Sequence, residues 1–363
     1  MSAISGSADG PVAVTGAAGF IGSHIVKNLV EHGYYVHACV RDTGREDKMS
    51  YLRKIEEKGP GNVKFFSCDL YDAAKGAYDE PFTGCSAVLH AAADIGSDAA
   101  TYGSISPLKQ YEGIVDMTAA ILESCRKAGT VKRVIYTSSV AAIFGPGAPD
   151  RPVDHIFTED DWCGGTYETL EDRHTDENGE MTWTNEKRAY GKGKLDAEKA
   201  SFAFGDASGI DVISICPFHV MGPLLGVPHD TLWPHRLGVA LAGEREMESH
   251  GTMRWNIIDV RDIAEAQRLA IESNVATNGS RYCLTAKDES GEPTGEEFLD
   301  MLQTLFPNHN VCGGYRPEPT EKRFRCRCTK AINELGIEPY SIEDTLRDTG
   351  NSLIELGSAP ASA

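Results

Sequence analysis

An α/β fold with a doubly wound parallel sheet and a smaller C-terminal lobe is what this sequence predicts, on three observations. Short apolar or β-branched runs alternate with amphipathic stretches as far as Cys216, and that alternation needs crossover connections, which give parallel strands with helices on both faces. The first run passes into its helix through a glycine-spaced loop, Thr15-Gly16-Ala17-Ala18-Gly19-Phe20-Ile21-Gly22-Ser23. Beyond Pro217 the alternation breaks into connections carrying Pro223, Gly226, Pro228 and Pro234, with shorter helices. At 363 residues, 41% of them apolar, the chain can bury one large core with a smaller one beside it.

The glycine loop defines the first unit. Gly16 permits a tight turn, Gly19 lets backbone N–H groups approach a pyrophosphate, and Gly22 lets the helix lie close to the strand. The helix N-terminus then faces the phosphates, where unpaired N–H groups and the positive dipole end favour an anion without any charged side chain. Strand, turn and helix in this order distinguish a Rossmann-type dinucleotide site from a merely glycine-rich turn.

In chain order, Val12 to Val14 is the first strand, and Ile21, Ile25, Val26 and Leu29 recur behind it at helical spacing. Tyr34 to Val40 reads as the second strand and Arg45 to Lys58 as a helix or helical loop. Val63 to Cys68 and Ala87 to His90 are the next strands, Tyr111 to Ala128 is a long helix, and Val131 to Thr137 is a β-branched strand. Helix Glu186 to Ala207 and strand Asp211 to Cys216 complete a dinucleotide-binding Rossmann domain over 1–216, with an acidic insertion at 145–185. A smaller substrate-binding lobe over 217–363, interleaved with the first domain, carries helices at Arg261 to Glu272, Gly295 to Phe306 and Thr329 to Leu335. Within Asp259-Val260-Arg261-Asp262 an Asp is placed to cap the helix whose Ile263, Ala266, Leu269 and Ala270 share a face, a structural role.

The formal net charge is -19, from 35 basic against 54 acidic residues. A phosphate backbone or an anionic membrane selects basic surface, so neither nucleic acid nor membrane is expected as a partner. A small molecule is, with the chain a monomer or homodimer. No apolar run approaches bilayer length, and Met1 to Gly10 is small and polar rather than basic then apolar, so a cytoplasmic location is expected. The ten cysteines are scattered, with only Cys326 and Cys328 close together, and no Cys or His spacing suits zinc. Reduced, mostly buried thiols and no metal are expected.

Strand Val131 to Thr137 ends at Ser138 and Ser139, and the helix beyond carries Tyr190 and Lys194, four residues apart and therefore on one face. An ammonium near a phenol favours the phenolate, lowering it from about 10 towards the working pH so that it can exchange a proton. Either serine at the strand end can hydrogen-bond a substrate oxygen. Hydride transfer to a carbonyl creates an alkoxide, and it needs this placed donor and orienting bond more than it needs a nucleophile. Tyr71 and Lys75 have the same spacing but follow Asp69 with no serine-bearing strand end feeding them. The second strand ends Val40-Arg41-Asp42, where such a fold reads the adenosine ribose. Arg41, with Lys48 within reach, suits a 2′-phosphate and favours NADP, whereas Asp42 is placed to bond the ribose hydroxyls of NAD.

Together these motifs resemble the extended short-chain dehydrogenase/reductase family, in the branch of dihydroflavonol reductases, cinnamoyl-CoA reductases and fungal ketone/aldehyde reductases, over nearly the whole chain. The glycine motif, Arg41, Asp69-Leu70, Leu89-His90-Ala91-Ala92-Ala93, Thr137-Ser138-Ser139, Tyr190 with Lys194, the turn Pro217 to Pro223, Asp259 to Asp262 and Lys330 to Gly336 are all similar to that family's. The resemblance implies a catalytic set of Ser139, Tyr190 and Lys194, with Tyr190 the acid and Lys194 also gripping the nicotinamide ribose. It implies an NADP site formed by Gly16, Gly19, Phe20, Ile21, Arg41, Lys48, Asp69, Leu70, Ala91, Ala92, Ala93, Tyr190, Lys194, Pro217 and Val220.

Three stretches depart from the branch. The cinnamoyl-CoA reductase run Asn-Trp-Tyr-Cys-Tyr-Gly-Lys is here Glu186-Lys187-Arg188-Ala189-Tyr190-Gly191-Lys192. Where dihydroflavonol reductases place an Asn after the serine, this chain has Ile143-Phe144, and its stretch from Ser139 to Tyr190 is longer. The expected activity is NADPH-dependent reduction of a ketone or aldehyde on a medium-sized, partly apolar molecule, dihydroflavonol-4-reductase-like. The alternatives are a nucleotide-sugar epimerase or dehydratase, or a 3β-hydroxysteroid-dehydrogenase-like enzyme, using NAD, and then a non-catalytic NADPH-binding subunit. Arg41 and the few basic residues in the lobe loops weigh against the first.

Asp150 to Glu180 holds eleven acids against Arg151 and Arg173. It joins the Ser139 strand to the Tyr190 helix, so it is either a solvated loop or a lid that repels polyanionic substrates, with Trp162 and Tyr167 as apolar contacts beneath it.

Overall fold

The computed structural model describes residues 3–93, 107–144, 152, 155–163, 173–175, 181–183, 186–245, 255–286, 292–319 and 326–361. The first half runs β1 (Val12–Thr15), α1 (Phe20–Glu31), β2 (Tyr35–Val40), α2 (Glu46–Lys58), β3 (Asn62–Ser67), the single turn α3 (Asp79–Phe82), β4 (Ala87–His90), α4 (Pro107–Ala128) and β5 (Arg133–Thr137). A short antiparallel pair, β6 (Arg173–Thr175) with β7 (Met181–Trp183), precedes α5 (Glu186–Ser208) and β8 (Asp211–Pro217). The remainder is β9 (His219–Met221), α6 (Leu232–Leu241), β10 (Ile257–Asp259), α7 (Val260–Glu272), β11 (Arg281–Leu284), α8 (Gly295–Leu305), α9 (Thr329–Leu335) and α10 (Ile342–Glu355).

Seven strands form one parallel sheet in the order β11-β8-β5-β4-β1-β2-β3. Side chains of a strand alternate between the faces. Val12 and Val14 of β1 therefore join Ile25, Leu29, Met49 and Ile263 in one core, while Ala13 joins Ile121, Leu122 and Ala197 in the other. One face is thus covered by α1, α2 and α7 and the other by α4 and α5, which is why the strands read as near-continuous apolar runs. The order reverses between β1 and β4, and ligands of open α/β sheets bind beyond the strand ends at such a switch.

A third core belongs to the lobe, where Trp255 stacks on Phe298 at 3.8 Å and Leu237, Leu241, Leu346 and Leu353 close around them. The small parallel pair β9–β10 sits at its base. The lobe is interleaved with the sheet more deeply than the alternation beyond Pro217 conveys. β11 returns to pair with β8 as the seventh strand, four residues too short to stand out in a Pro- and Gly-broken stretch. Asp259 caps α7 as expected, its carboxylate accepting the Arg261 amide at 2.8 Å. All ten cysteines are free and buried. No helix of the described residues is long and apolar enough to cross a membrane.

Candidate active site

The glycine loop leaves β1 with Gly16 at φ +65, in the left-handed region. A Cβ there would lie 2.9 Å from the Ala92 Cα, and one at Gly22 would lie 2.1 Å from the Gly16 carbonyl oxygen, so the loop closes against both the β4 end and α1 only with glycine at these positions. Gly19 is the N-cap of α1 and supplies no side-chain cap, and among the described residues no side chain bonds the first amides of that helix, which leaves them oriented for an anion. Phe20 and Ile21 begin the helix, and the Phe20 ring packs within 5.8 Å of His229 from the lobe. At the β4 end, His90 is buried and held neutral, its value pushed down to about 3 by burial. Its Nδ1 lies 2.8 Å from the Thr15 hydroxyl, which in turn accepts the Ala92 amide at 3.1 Å. That bond ties the Ala91, Ala92 and Ala93 segment to the glycine loop.

Around the expected adenosine site, Arg41 follows β2 directly and is exposed, and Lys48 lies partly exposed on α2. Asp42 accepts the Gly44 amide at 2.8 Å, closing its own turn. Asp69 likewise caps the turn at Leu70, accepting the Tyr71 amide at 2.9 Å. Leu70 is buried. At the far side, Pro217 ends β8 and Val220 lies partly buried in β9, packed against the sheet core.

β5 ends at Thr137, and the two following serines separate in role. Ser138 is buried and donates its hydroxyl to Glu198 at 2.7 Å. Ser139 is partly exposed and caps a short turn through the Ala141 amide at 3.2 Å, and its hydroxyl lies beside the Tyr190 phenol and pulls that phenol's value down. Lys194, one turn further along α5, is 5% exposed and donates Nζ to the Thr137 carbonyl at 2.9 Å. The structure thus brings Ser139, Tyr190 and Lys194 together at the carboxyl end of β5, two strands from β1 and on the same edge as its glycine loop.

The electrostatics differ from the expected tuning of Tyr190 by Lys194. The ammonium is 6.0 Å from the phenol ring centroid, and burial pushes the Tyr190 phenol up, with the Ser139 hydroxyl as the group that pulls it back down. Burial pushes Lys194 itself down to about 8, partly offset by the negative charge of Glu198. The reason is geometric: a side chain directed at the Thr137 carbonyl does not reach the phenol oxygen as a direct partner.

Tyr71 and Lys75 have no such setting. Tyr71 is 56% exposed on a short 3-10 turn, and Lys75 pairs with Asp72 at 2.6 Å in solvent.

Of the acidic insertion, His155–Cys163 is packed into the body. Glu159 is buried and accepts the Cys283 amide of β11 at 2.9 Å, and Asp161 accepts His155 at 3.1 Å. Trp162 stacks over the Arg281 guanidinium at 3.6 Å and meets Phe202 edge-on at 6.3 Å. Trp162 is therefore a structural anchor, its partners belonging to β11 and α5. Tyr167 and most of the stretch from Thr166 to Gly179 lie outside the described residues.

Sequence reasoning missed two sets of groups. Tyr51 of α2 donates its hydroxyl to the Ala18 carbonyl of the glycine loop, and His229 Nε2 approaches the same oxygen at 3.4 Å. No local signal marks either, because the contact spans 33 and 211 residues. Glu198 was findable, since it continues the Tyr190 and Lys194 face of α5 by one more turn.

Known proteins are similar to this chain over nearly its whole length. The chain is 30% identical over 365 residues to dihydroflavonol 4-reductase from Hordeum vulgare, covering 98% of this chain and 93% of that protein. It is 31% identical over 350 residues to cinnamoyl-CoA reductase 1 from Arabidopsis thaliana, covering 95% and 90%. Among solved structures, vestitone reductase from alfalfa (Medicago sativa) superposes with a TM-score of 0.70 at 25% identity, covering 96% of this chain and 99% of that one. Gre2 from Candida albicans in complex with NADPH shares the fold with a TM-score of 0.74 at 24% identity, covering 95% and 99%. The NAD dependent epimerase/dehydratase family model matches residues 12–284, three quarters of the sequence, and the chain belongs to that family.

Proposed function

We propose that this protein reduces a ketone or aldehyde on a medium-sized, partly apolar small molecule with NADPH, Tyr190 acting as general acid. That it is an NADP-dependent oxidoreductase is supported by its membership of the NAD dependent epimerase/dehydratase family and by relatives named as reductases along nearly its whole length. The single observation that carries the finer reading is the convergence of Ser139, Tyr190 and Lys194 at the carboxyl end of β5, with Lys194 on the same helical face as Tyr190 and bonded to the Thr137 carbonyl.

The chain's residues fit a dinucleotide. The uncapped amides after Gly19 suit its pyrophosphate, Arg41 and Lys48 suit a 2′-phosphate, and Asp42, closed onto Gly44, competes less with such an anion. Ala91 to Ala93, Pro217 and Val220 would line its remaining length. When bound, NADPH supplies the hydride. Ser139 then orients the substrate oxygen, and the Tyr190 hydroxyl, kept protonated by burial, gives its proton to that oxygen as charge develops on it. Lys194 keeps a positive charge beside the developing negative one, and its ammonium retains donors beyond the Thr137 carbonyl for the ribose.

The test is NADPH oxidation against a panel of neutral ketones and aldehydes, after establishing whether the purified protein already carries NAD. Turnover of a carbonyl that depends on added NADPH is expected. Bound NAD with no such turnover would replace the proposal with hydride-returning epimerase chemistry.

A further inference from the structure

The buried carboxylate of Glu198 has no part in the chemistry above, yet it lies on the reacting face of α5, four residues beyond Lys194 and eight beyond Tyr190. It is 0% exposed. Oε2 accepts the Ser138 hydroxyl at 2.7 Å, and Oε1 accepts Arg281 Nε at 2.7 Å and lies 3.7 Å from Cys216 Sγ. Arg281, equally buried on β11, directs its other donors to the carbonyls of Glu159 at 2.6 Å and Asp161 at 2.7 Å. Desolvating such a pair consumes much of what its attraction returns, so fold stability alone is a weak reason for it. Its placement gives a better one.

The groups around Lys194 are Tyr190 and Glu198 on its own helix, the Tyr136 ring of β5 at 5.1 Å, Cys216 of β8 and His90 of β4. Burial holds the Tyr136 phenol and the Cys216 thiol well above their usual ranges and His90 is neutral, whereas Glu198, ion-paired with Arg281 at 2.7 Å, is the group whose negative charge pulls Lys194 back up.

We infer that Glu198 is a positioning residue for the reduction: it fixes Ser138, and with it the strand end that presents Ser139, and it is the counter-charge that keeps Lys194 an ammonium inside a dry site. The inference rests on Tyr190 and Lys194 serving the reaction as proposed above. Arg281 anchors the carboxylate from the side away from the reaction.

Glu198→Gln separates charge from shape, because the amide oxygen can still accept from Ser138. Without the counter-charge the Lys194 ammonium, already brought down to about 8, is lost at lower pH. The alkaline fall-off of kcat should therefore move to lower pH by about one unit, a loss of roughly fivefold at pH 8 that approaches tenfold above pH 9, with kcat near the parent's at pH 6. A purely structural lesion lowers the rate equally at both. Should the unpaired Arg281 prevent folding, Glu198→Gln combined with Arg281→Gln removes both charges and should show the same shift. Ser138→Ala keeps the charge and should lower kcat severalfold at every pH without moving the limb. A folded Gln variant whose pH profile parallels the parent's overturns the inference, as does an unchanged kcat in Ser138→Ala. Tyr190→Phe in the same assay tells the two failures apart: if it keeps full turnover, the site assignment falls, whereas if it is inactive beside an unshifted Gln variant, only the role of Glu198 does.

Discussion

The chain carries the spacing Tyr-x-x-x-Lys twice, and the two copies meet opposite fates. Tyr190 and Lys194 lie on a 23-residue helix packed against the sheet, with Lys194 5% exposed and bonded to a strand-end carbonyl. Tyr71 and Lys75 lie on a six-residue 3-10 turn, with Lys75 79% exposed and bonded to its neighbour Asp72. Solvent sets the value of the spacing. In water an ammonium is screened and its pairing contributes little, whereas in a dry site each unit charge acts over the whole cavity and shifts every neighbour's proton equilibrium. Burial accordingly pushes Lys194 down to about 8, while Asp72 pushes Lys75 up. The two copies differ in what surrounds them, not in what they are.

The largest effect should come from breaking the buried copy. Tyr190→Phe keeps the ring packing but removes the transferable proton, so kcat should fall about a hundredfold to ten-thousandfold while the NADPH dissociation constant stays within a few-fold of the parent's. Steady-state kinetics with the best carbonyl of the panel and a fluorescence titration of the cofactor measure the two separately. Lys194→Ala should damage both, since in the proposed mechanism one ammonium serves the ribose and the charge that develops on the substrate oxygen. Equal losses in Tyr190→Phe and Tyr71→Phe would erase the distinction between the copies.

Lys194 should also leave a mark on stability. Its folded value of about 8 lies below its ordinary 10.5, so between these the unfolded chain binds more protons and stability rises with pH. Below about 8 the full penalty of a buried charge is present, and it disappears as pH rises towards 10.5. The size of that shift corresponds to roughly 3 kcal/mol over the window. Lys194→Met removes the titration, so its stability relative to the parent should decline across the same range in denaturant unfolding. Parallel curves at pH 7 and 9.5 would mean that Lys194 is not buried as a charge.

Arg41 sharpens the comparison from the other direction, because it is exposed and yet proposed to hold the 2′-phosphate. On that proposal its worth comes from a ligand charge rather than from burial. Bonds to a 2′-phosphate are charge-assisted and contribute roughly 1.5 to 3 kcal/mol, so Arg41→Ala should raise the NADPH Michaelis constant about tenfold to a hundredfold and leave that for NADH nearly unchanged. Equal changes with both cofactors would remove the assignment.

The sheet strands β1 to β5 and β8 and the helices α1, α4 and α5 were legible in the sequence, because both faces of the sheet are covered and the apolar pattern is strong. The glycine loop was legible for the same reason that it works, as only glycine fits at Gly16 and Gly22. β11 and α10 were not, the former because four residues carry too little pattern, the latter because its buried Ile342, Leu346 and Leu353 face a lobe core whose partners come from α6 and α8. Within the site, pattern alone left Ser138 and Ser139 equivalent. What separates them is Glu198, which takes up Ser138 and leaves Ser139 facing Tyr190.

The smallest effect is expected at the exposed copy, and it tests the comparison most strictly. The Lys75–Asp72 pair spans 2.6 Å, shorter than the buried Lys194 bond at 2.9 Å, so distance alone would rank it above that bond. Both of its side chains are more than half exposed, however, and holding two long side chains in one geometry offsets most of the screened attraction. Tyr71→Phe and Lys75→Ala, singly and together, should leave kcat, both Michaelis constants and the thermal midpoint indistinguishable from the parent's. Raising the salt concentration should not change that result, since there is no unscreened interaction to remove. A drop in turnover in either variant, at unchanged thermal midpoint, would show that Tyr71 and Lys75 touch the reaction, and the difference in burial would then have lost its explanatory force.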